Sequence, residues 1–529
     1  MIADESRERN VHPPVRFHKG VIGSVNVSSV WEKPSERGTK LLVLFVNEGQ
    51  APRCDVLGED LGTRVRLHME HASFVAKKGK SLYIPLPEMS ADPEDERPKV
   101  RNALLVCLGS GPHLDELRDR AAESVRRARG MKIDELTFVL PEDPDERTSR
   151  AVAEGAALGG YVFEKYLTRN GDERPQPVRE VAVFRGNDWG IATGVVFAES
   201  QIFARDLVNE PGNSVTPVTM AETAGATARE FGLECCIWDE SRLARERMNG
   251  LLAVGGGSAV PPRFVHLIYR PAAGESGKTA PKIVIVGKGL TYDSGGLNIK
   301  TGDFMRTMKG DKTGACDVLG VMRGVAKLAP AVEVHGIFGA AENMPDGGAF
   351  RPDDIIRARN GKTIEIDNTD AEGRVTLADS LSYASELSPD AIIDIATLTG
   401  GCAVALGNYR AGLFSVDDAL AREIEQAAER AGERLWRLPM DDEKLRDAIK
   451  SPVADVLNSG ARYGSAICAA MFLQSFVGEG IPWAHLDIAG VDMYKEEFGV
   501  YGKGASAWGV RLCLEFILGR AAAEGNAVA

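Results

Sequence analysis

Apolar positions along the chain follow two rhythms. Short, nearly continuous apolar runs occur at 40–46 (KLLVLFV), 103–109 (ALLVCLG), 282–287 (KIVIVG), 333–340 (EVHGIFGA), 391–398 (AIIDIATL) and 484–490 (AHLDIAG). They are rich in β-branched residues, the pattern of strands covered on both faces. Between them lie longer stretches with apolar residues at helical spacing, such as 113–130 (HLDELRDRAAESVRRARG) and 148–169 (TSRAVAEGAALGGYVFEKYLTR). This alternation predicts an α/β fold in which helices flank a mostly parallel central sheet.

At 529 residues the chain is too long for one ordinary core, so at least two domains are expected. Two of the apolar runs precede residue 145 and four follow residue 190. The reading is a smaller N-terminal α/β domain over 1–145, a linker helix and connection over 146–185, and a larger domain over 186–529. The breaks that suggest this are PEDPDER at 141–147 and NGDERPQP at 170–177, each dense in proline and charge.

Hydrophobic residues make up 44% and charged residues 26%, with a net charge of −13. Residues 1–150 hold 24 Lys+Arg against 25 Asp+Glu, and the remainder holds 39 against 51, so the acid excess lies in the second part. That balance argues against nucleic-acid binding. One basic cluster, RRAR at 126–129, is better explained as a solvated helix face. Eight cysteines are scattered without a CxxC pair and read as reduced thiols of a cytoplasmic protein. The opening MIADESRERN lacks the apolar core of a signal peptide. No apolar run approaches the roughly eighteen residues a membrane span needs.

Candidate chemistry gathers where the apolar runs end. Lys288 and Asp293 follow KIVIVG, Asp311 lies in MRTMKGDKTGACDVL (305–319), and Asp370 and Glu372 lie in NTDAEGR (368–374). That heptad joins the strand-like TIEID to the helical VTLADSLSYASEL. Open α/β sheets bind ligands beyond the carboxyl ends of their strands. Taken singly, each charged residue reads as solvated surface, and Gly255–Gly257 and Gly295–Gly296 as turns. Taken together, four carboxylates in an apolar crevice cannot all stay ionised without compensation. Divalent cations would supply it, as Mg²⁺ or Mn²⁺ on hard oxygens or as Zn²⁺. Four acids suffice for two ions if some bridge a pair about 3.5–4 Å apart. A lysine can join such a site only as a neutral amine, whereas a second one can stay cationic and polarise a carbonyl. GKGLTYDSGG lacks the spacing of a phosphate loop. No HExxH or GxSxG occurs, and His266, His335 and His485 read as core histidines. Ser294 has no visible base, and Cys316 and Cys468 read as small core residues.

With those residues in place, NTDAEGR resembles the signature of the leucyl aminopeptidases, two-metal exopeptidases of the cytosol with hexameric members. VGKGLTYDSGGLNIK, MKGDKTGACDVL, ARDLVNEPGNSVTP, DIATLTGG and PWAHLDIAG resemble further family segments in family order, covering residues 190–520. The N-terminal part resembles the family only in size and class. The resemblance implies a homohexamer that removes leucine-like N-terminal residues from peptide substrates. It implies that Asp293 and Glu372 bridge two divalent ions, Mn²⁺ or Zn²⁺ with Mg²⁺ or Co²⁺ as alternatives. Lys288 and Asp311 would complete the tighter site and Asp370 the more exchangeable one. Lys300 would position the attacking water and polarise the peptide carbonyl, and Arg374 would hold a bicarbonate ion as general base. Met308, Leu398 and the backbone around Thr397–Gly400 would line the side-chain pocket. The chain departs from the family pattern at Lys312-Thr313 and at Gly504–Ala507, neither of which is an expected ligand. Two other readings share the fold: a DNA-binding member and a non-catalytic member. The charge balance disfavours the first, and the complete ligand set disfavours the second.

Overall fold

A computed structural model describes residues 25–86, 100–110, 113–168, 176–272 and 280–526. Part of the break expected at 170–177 lies outside the described residues. Six strands form the N-terminal sheet: β1 (Asn26–Val30), β2 (Leu41–Val46), β3 (Ser81–Pro85), β4 (Asn102–Cys107), β5 (Glu135–Val139) and β6 (Glu180–Phe184). Their order is β1-β6-β5-β2-β4-β3. All neighbours run parallel except β3 and β4. The unbroken apolar run of β2 has a simple cause. Leu41, Val43 and Phe45 join the core that includes residues of helices Leu114–Gly130 and Glu146–Gly160. Leu42, Leu44 and Val46 join the one that includes residues of helix Glu59–His71. The sequence reading takes 146–185 as a connection, yet its last residues form β6, between β1 and β5.

The larger part contributes β7 (Glu234–Trp238), β8 (Arg263–Tyr269), β9 (Lys282–Asp293), β10 (Glu333–Asn343), β11 (Ile355–Arg357), β12 (Thr363–Glu365), β13 (Ala391–Ala396), β14 (Ala411–Phe414), β15 (Leu435–Arg437), β16 (Val456–Leu457) and β17 (Trp483–Asp487). Eight of them make one sheet in the order β15-β14-β17-β13-β9-β10-β8-β7, and β11-β12-β16 form a small separate sheet. The four apolar runs after residue 190 are β9, β10, β13 and β17, adjacent and parallel at the sheet's centre. Both faces of β9 are buried in different cores, Ile283 and Ile285 in one, Val284 and Val286 in the other. Outward from these strands β8 runs antiparallel to β10, β7 to β8 and β14 to β17, and the edge strand β15 runs parallel to β14.

The two parts are pinned by buried charge. Glu154 accepts from Arg118 at 2.6 Å and Arg150 at 2.9 Å, and lies 3.3 Å from Arg511 near the chain's other end. The three histidines are buried in the core as expected and each has a polar partner, although His485 Nε2 is buried without one among the described residues. His266 and His335 are 2.7 Å apart, His335 reaches Glu333 at 2.7 Å, and His485 meets Asp394 at 2.6 Å. Among the described residues no helix is long and apolar enough to cross a membrane.

Close packing brings helix Thr313–Leu328 onto the strand ends. A Cβ at Gly314 would lie 2.0 Å from the Ile395 carbonyl oxygen and 2.8 Å from the Lys288 amide nitrogen. Only a glycine lets the backbones approach this closely. Gly314→Ala should therefore destabilise the protein by about 3 kcal/mol or more, the upper range of overpacking costs. Denaturant unfolding measures this, and an unchanged midpoint contradicts it.

Candidate metal centre

Strand β9 delivers the first charged groups. Lys288 lies within β9 and Asp293 ends it. Asp311 belongs to the short turn Met308–Lys312 that leads into helix Thr313–Leu328. Asp370 and Glu372 flank the start of helix Glu372–Glu386. Lys288, Asp293, Asp311 and Glu372 are buried, and Asp370 is one-third exposed.

These side chains converge. Lys288 Nζ lies 2.9 Å from Asp311 Oδ1 and 3.0 Å from Glu372 Oε1, and donates to the Thr397 carbonyl at 3.0 Å. Lys300 Nζ lies 2.8 Å from Asp293 Oδ2 and 2.5 Å from Asp370 Oδ1. Carboxylate oxygens of Asp293, Asp370 and Glu372 all fall within 4.8 Å of one another. Four carboxylates thus share two ammonium groups, leaving two negative charges in excess when all are ionised.

The electrostatics follow from that crowding. Burial opposes charge on Lys288, but Asp311, Glu372 and Asp293 outweigh it and hold its pKa above the usual lysine value. Lys300 is raised in the same way by Asp293 and Glu372. Burial, reinforced by the Asp293 charge, pushes the Asp370 and Glu372 carboxyls up. Burial likewise raises Asp311. Among the described residues, Asp311 Oδ2 and Glu372 Oε2 are buried with no hydrogen-bond partner, and Asp370 Oδ1 has only its ion pair with Lys300. Such orphaned acceptors are costly unless a cation meets them. The donor set of carboxylates plus one buried amine therefore fits divalent cations.

A layer of neutral groups fixes the carboxylates. Asp293 Oδ1 accepts from the Gly295 amide and from Asn343 Nδ2, both at 2.9 Å. Asn343 stands opposite Asp293 in the β9–β10 register and also donates to the Thr369 carbonyl at 3.0 Å. Thr369 Oγ1 donates to the Gly295 carbonyl at 2.7 Å, tying the two acid-bearing loops together. Thr397 Oγ1 donates to Asp311 Oδ1 at 2.8 Å. Buried Asp487 accepts from Thr399 Oγ1 at 2.6 Å and from the Leu398 amide at 3.2 Å, shaping the loop after β13. Thr369 and Asp487 fall inside the segments NTDAEGR and PWAHLDIAG without being singled out there, and Asn343 and Asn458 carry no periodic or motif signal of their own. Only their contacts reveal them.

Arg374 lies beside this cluster without a carboxylate in contact. Its Nη1 donates to the Asn458 and Ser459 carbonyls at 2.9 and 3.0 Å, and its Nε is buried without a partner. Burial pulls the guanidinium down to about 10. Helix Glu372–Glu386 has no side-chain cap at Ala371, so uncapped amides and a guanidinium meet at one place. Met308 shares its turn with Asp311 and is half-buried, as are Thr397 and Leu398. Gly400 is exposed, with open space where a Cβ would stand.

Comparison with known proteins agrees over most of the chain. Residues 202–514 match the sequence model of the catalytic domain of the cytosol aminopeptidase family, and residues 43–170 match that of its N-terminal domain. A probable cytosol aminopeptidase of Aquifex aeolicus is 53% identical over 483 residues, covering 90% of this chain and 95% of that protein. One from Persephonella marina is 49% identical, covering 78% of this chain and 85% of its own. Among solved structures, the bottromycin maturation enzyme BotP in complex with Mn aligns with a TM-score of 0.79 at 35% identity, covering 91% of this chain and 99% of that one. A mutant of tomato leucine aminopeptidase aligns at 0.83 and 31% identity, covering 95% and 98%.

One glycine makes the lysine's path possible. A Cβ at Gly373 would lie 2.3 Å from Lys288 Cε and 2.6 Å from its Nζ. Gly373→Ala should displace Lys288 and weaken divalent-cation binding at the candidate centre by roughly tenfold to a hundredfold, the range for disturbed support of a metal site. Calorimetric titration of metal-free protein reads this directly, and wild-type affinity in the variant contradicts it.

Proposed function

The chain belongs to the cytosol aminopeptidase family, and from that premise we propose that it removes leucine-like N-terminal residues from peptides at a two-metal centre. The observation that carries the reading is the cluster itself: carboxylate oxygens of three residues within 4.8 Å, beside buried carboxylate oxygens that lack any partner. Asp293 and Glu372 would bridge the two ions, Lys288 and Asp311 would complete one site, and Asp370 the other. Mn²⁺ is the leading candidate, because BotP is similar along the chain and binds Mn. Zn²⁺, Co²⁺ and Mg²⁺ are the alternatives. When bound, the ions would anchor the substrate's free amine, polarise the scissile carbonyl and lower the pKa of the attacking water from 15.7 to about 7.

The chain's own groups do the rest. Lys288 would hold a cation only as the neutral amine, with its proton released to solvent. Lys300, less buried than Lys288 and paired with Asp293 and Asp370, keeps its proton and turns its ammonium toward the carbonyl oxygen. There it stabilises the developing oxyanion. Arg374, with its unpartnered Nε and the uncapped helix start beside it, would hold a bicarbonate ion, which would supply a general base there. Met308, Leu398 and the backbone of Thr397–Gly400 would line the pocket for the first side chain. Pockets of this kind separate methylenes by only about 1–3 kcal/mol each, so leucine preference should be graded rather than strict. A cytosolic homohexamer is the assembly we infer, by likeness to the family.

Glu372→Ala should reduce hydrolysis of a leucyl anilide to background while thermal unfolding stays cooperative; full activity refutes the assignment. Lys300→Ala should lower kcat by about 100- to 1,000-fold, the usual loss for one oxyanion donor. Chelation should abolish turnover of the wild type, and adding back Mn²⁺, Zn²⁺, Co²⁺ and Mg²⁺ in turn ranks the ions. Turnover that survives chelation excludes the proposed chemistry.

A further inference from the structure

Lys312 follows the candidate ligand Asp311 and is fully buried. Its Nζ donates to three main-chain carbonyls, Val208 at 3.3 Å, Glu210 at 3.1 Å and Lys309 at 2.6 Å. An ammonium has three protons, so the three acceptors match its full complement. Two of these acceptors lie at the end of helix Asp188–Asn209. The last carbonyls of a helix lack intrahelical donors and carry its negative end. The Glu210 amide returns to Asp206, so the Val208 and Asn209 carbonyls lie beyond the last helical bond. Lys309 Nζ donates to the Asn209 carbonyl. Two lysines of one short turn thus take up three consecutive carbonyls, 208, 209 and 210.

The same turn faces the centre with its other groups. Asp311, between the two lysines, reaches Lys288 and Thr397. The turn opens at Thr307, whose φ of 77° is left-handed and gives the segment little intrinsic preference for its shape. The Glu210 side chain is occupied elsewhere, by Lys165 at 2.5 Å and Tyr166. We propose that Lys312, assisted by Lys309, is a positioning residue: its ammonium clamps the Met308–Lys312 turn to the end of helix Asp188–Asn209 and so sets Asp311 for the metal and Met308 for the substrate. This rests on the reading of Asp311 as a metal ligand.

Lys312→Met removes the ammonium and keeps much of the side-chain volume, and Lys309→Met does the same at a half-buried position. Metal-free proteins are titrated with Mn²⁺ by calorimetry, and kcat and KM are measured on a leucyl anilide. Lys312→Met should bind Mn²⁺ about 10- to 100-fold more weakly, as when support behind a ligand is lost. Its kcat should fall more than its KM rises, and Lys309→Met should show the same change in smaller degree. A lowered melting temperature with unchanged Mn²⁺ affinity and kcat overturns the proposal, because it leaves Lys312 only a packing role. Should Lys312→Met fail to fold, wild-type Mn²⁺ affinity in Lys309→Met overturns it. Wild-type protein that binds no Mn²⁺ brings down the metal-centre reading together with this one, whereas equal affinities in wild type and variants overturn this one alone.

Discussion

Four carboxylates and two lysines are confined to one crevice, and their charges do not cancel. Burial raises the cost of every ionised oxygen, and two of those oxygens find no donor at all. A fold does not keep such a cluster for stability, since buried ionic groups seldom repay their desolvation. Its persistence makes sense when an external cation completes it. The two lysine ammonium groups stand against these carboxylates, and on the two-metal reading the cations would supply the remaining positive charge.

The scaffold serves that cluster through contacts of low tolerance. β9 runs on to Asp293, well beyond the six-residue apolar run that marks it in the sequence. Its pairing with β10 places Asn343 opposite Asp293, and the amide side chain then bridges to Thr369 in the loop that bears Asp370. Glycines stand wherever a side chain would intrude, at 314 under the strand ends and at 373 under Lys288. At Gly295, with φ of +89°, a Cβ would also press on the Asn298 carbonyl and on Asp370. The rigidity of the ligand set therefore comes from backbone approach and neutral hydrogen bonds. Charge pairing alone would allow several arrangements.

The sequence made the central strands legible because β9, β10, β13 and β17 are buried on both faces and so appear as unbroken apolar runs. The charged residues at their ends were legible for the same reason, since each run stops where the crevice starts. β11 and β16 span only two or three residues and lack that signal, whereas β12 is legible only as the start of the strand-like TIEID. β6 was read as part of a connection because its place between β1 and β5 is set by pairing over long sequence distance. The supporting asparagines were invisible for a related reason. A lone Asn343 or Asn458 has the composition of a loop, and only the register of one strand on another gives it a task.

Lys288 and Lys300 resemble each other in sequence terms but meet different constraints. Lys288 threads over Gly373, is almost without solvent contact and touches Asp311, Glu372 and the Thr397 carbonyl. Lys300 sits at the crevice's more open side, against Asp293 and Asp370. Cations placed among the four carboxylates would neutralise the charge that now favours both ammonium groups. The deeper amine, with burial already against its proton, is the one that would give it up. The shallower one keeps access to water and so keeps its charge. The division of labour between a neutral ligand and a cationic carbonyl partner then follows from depth in the crevice, with no difference in residue type required.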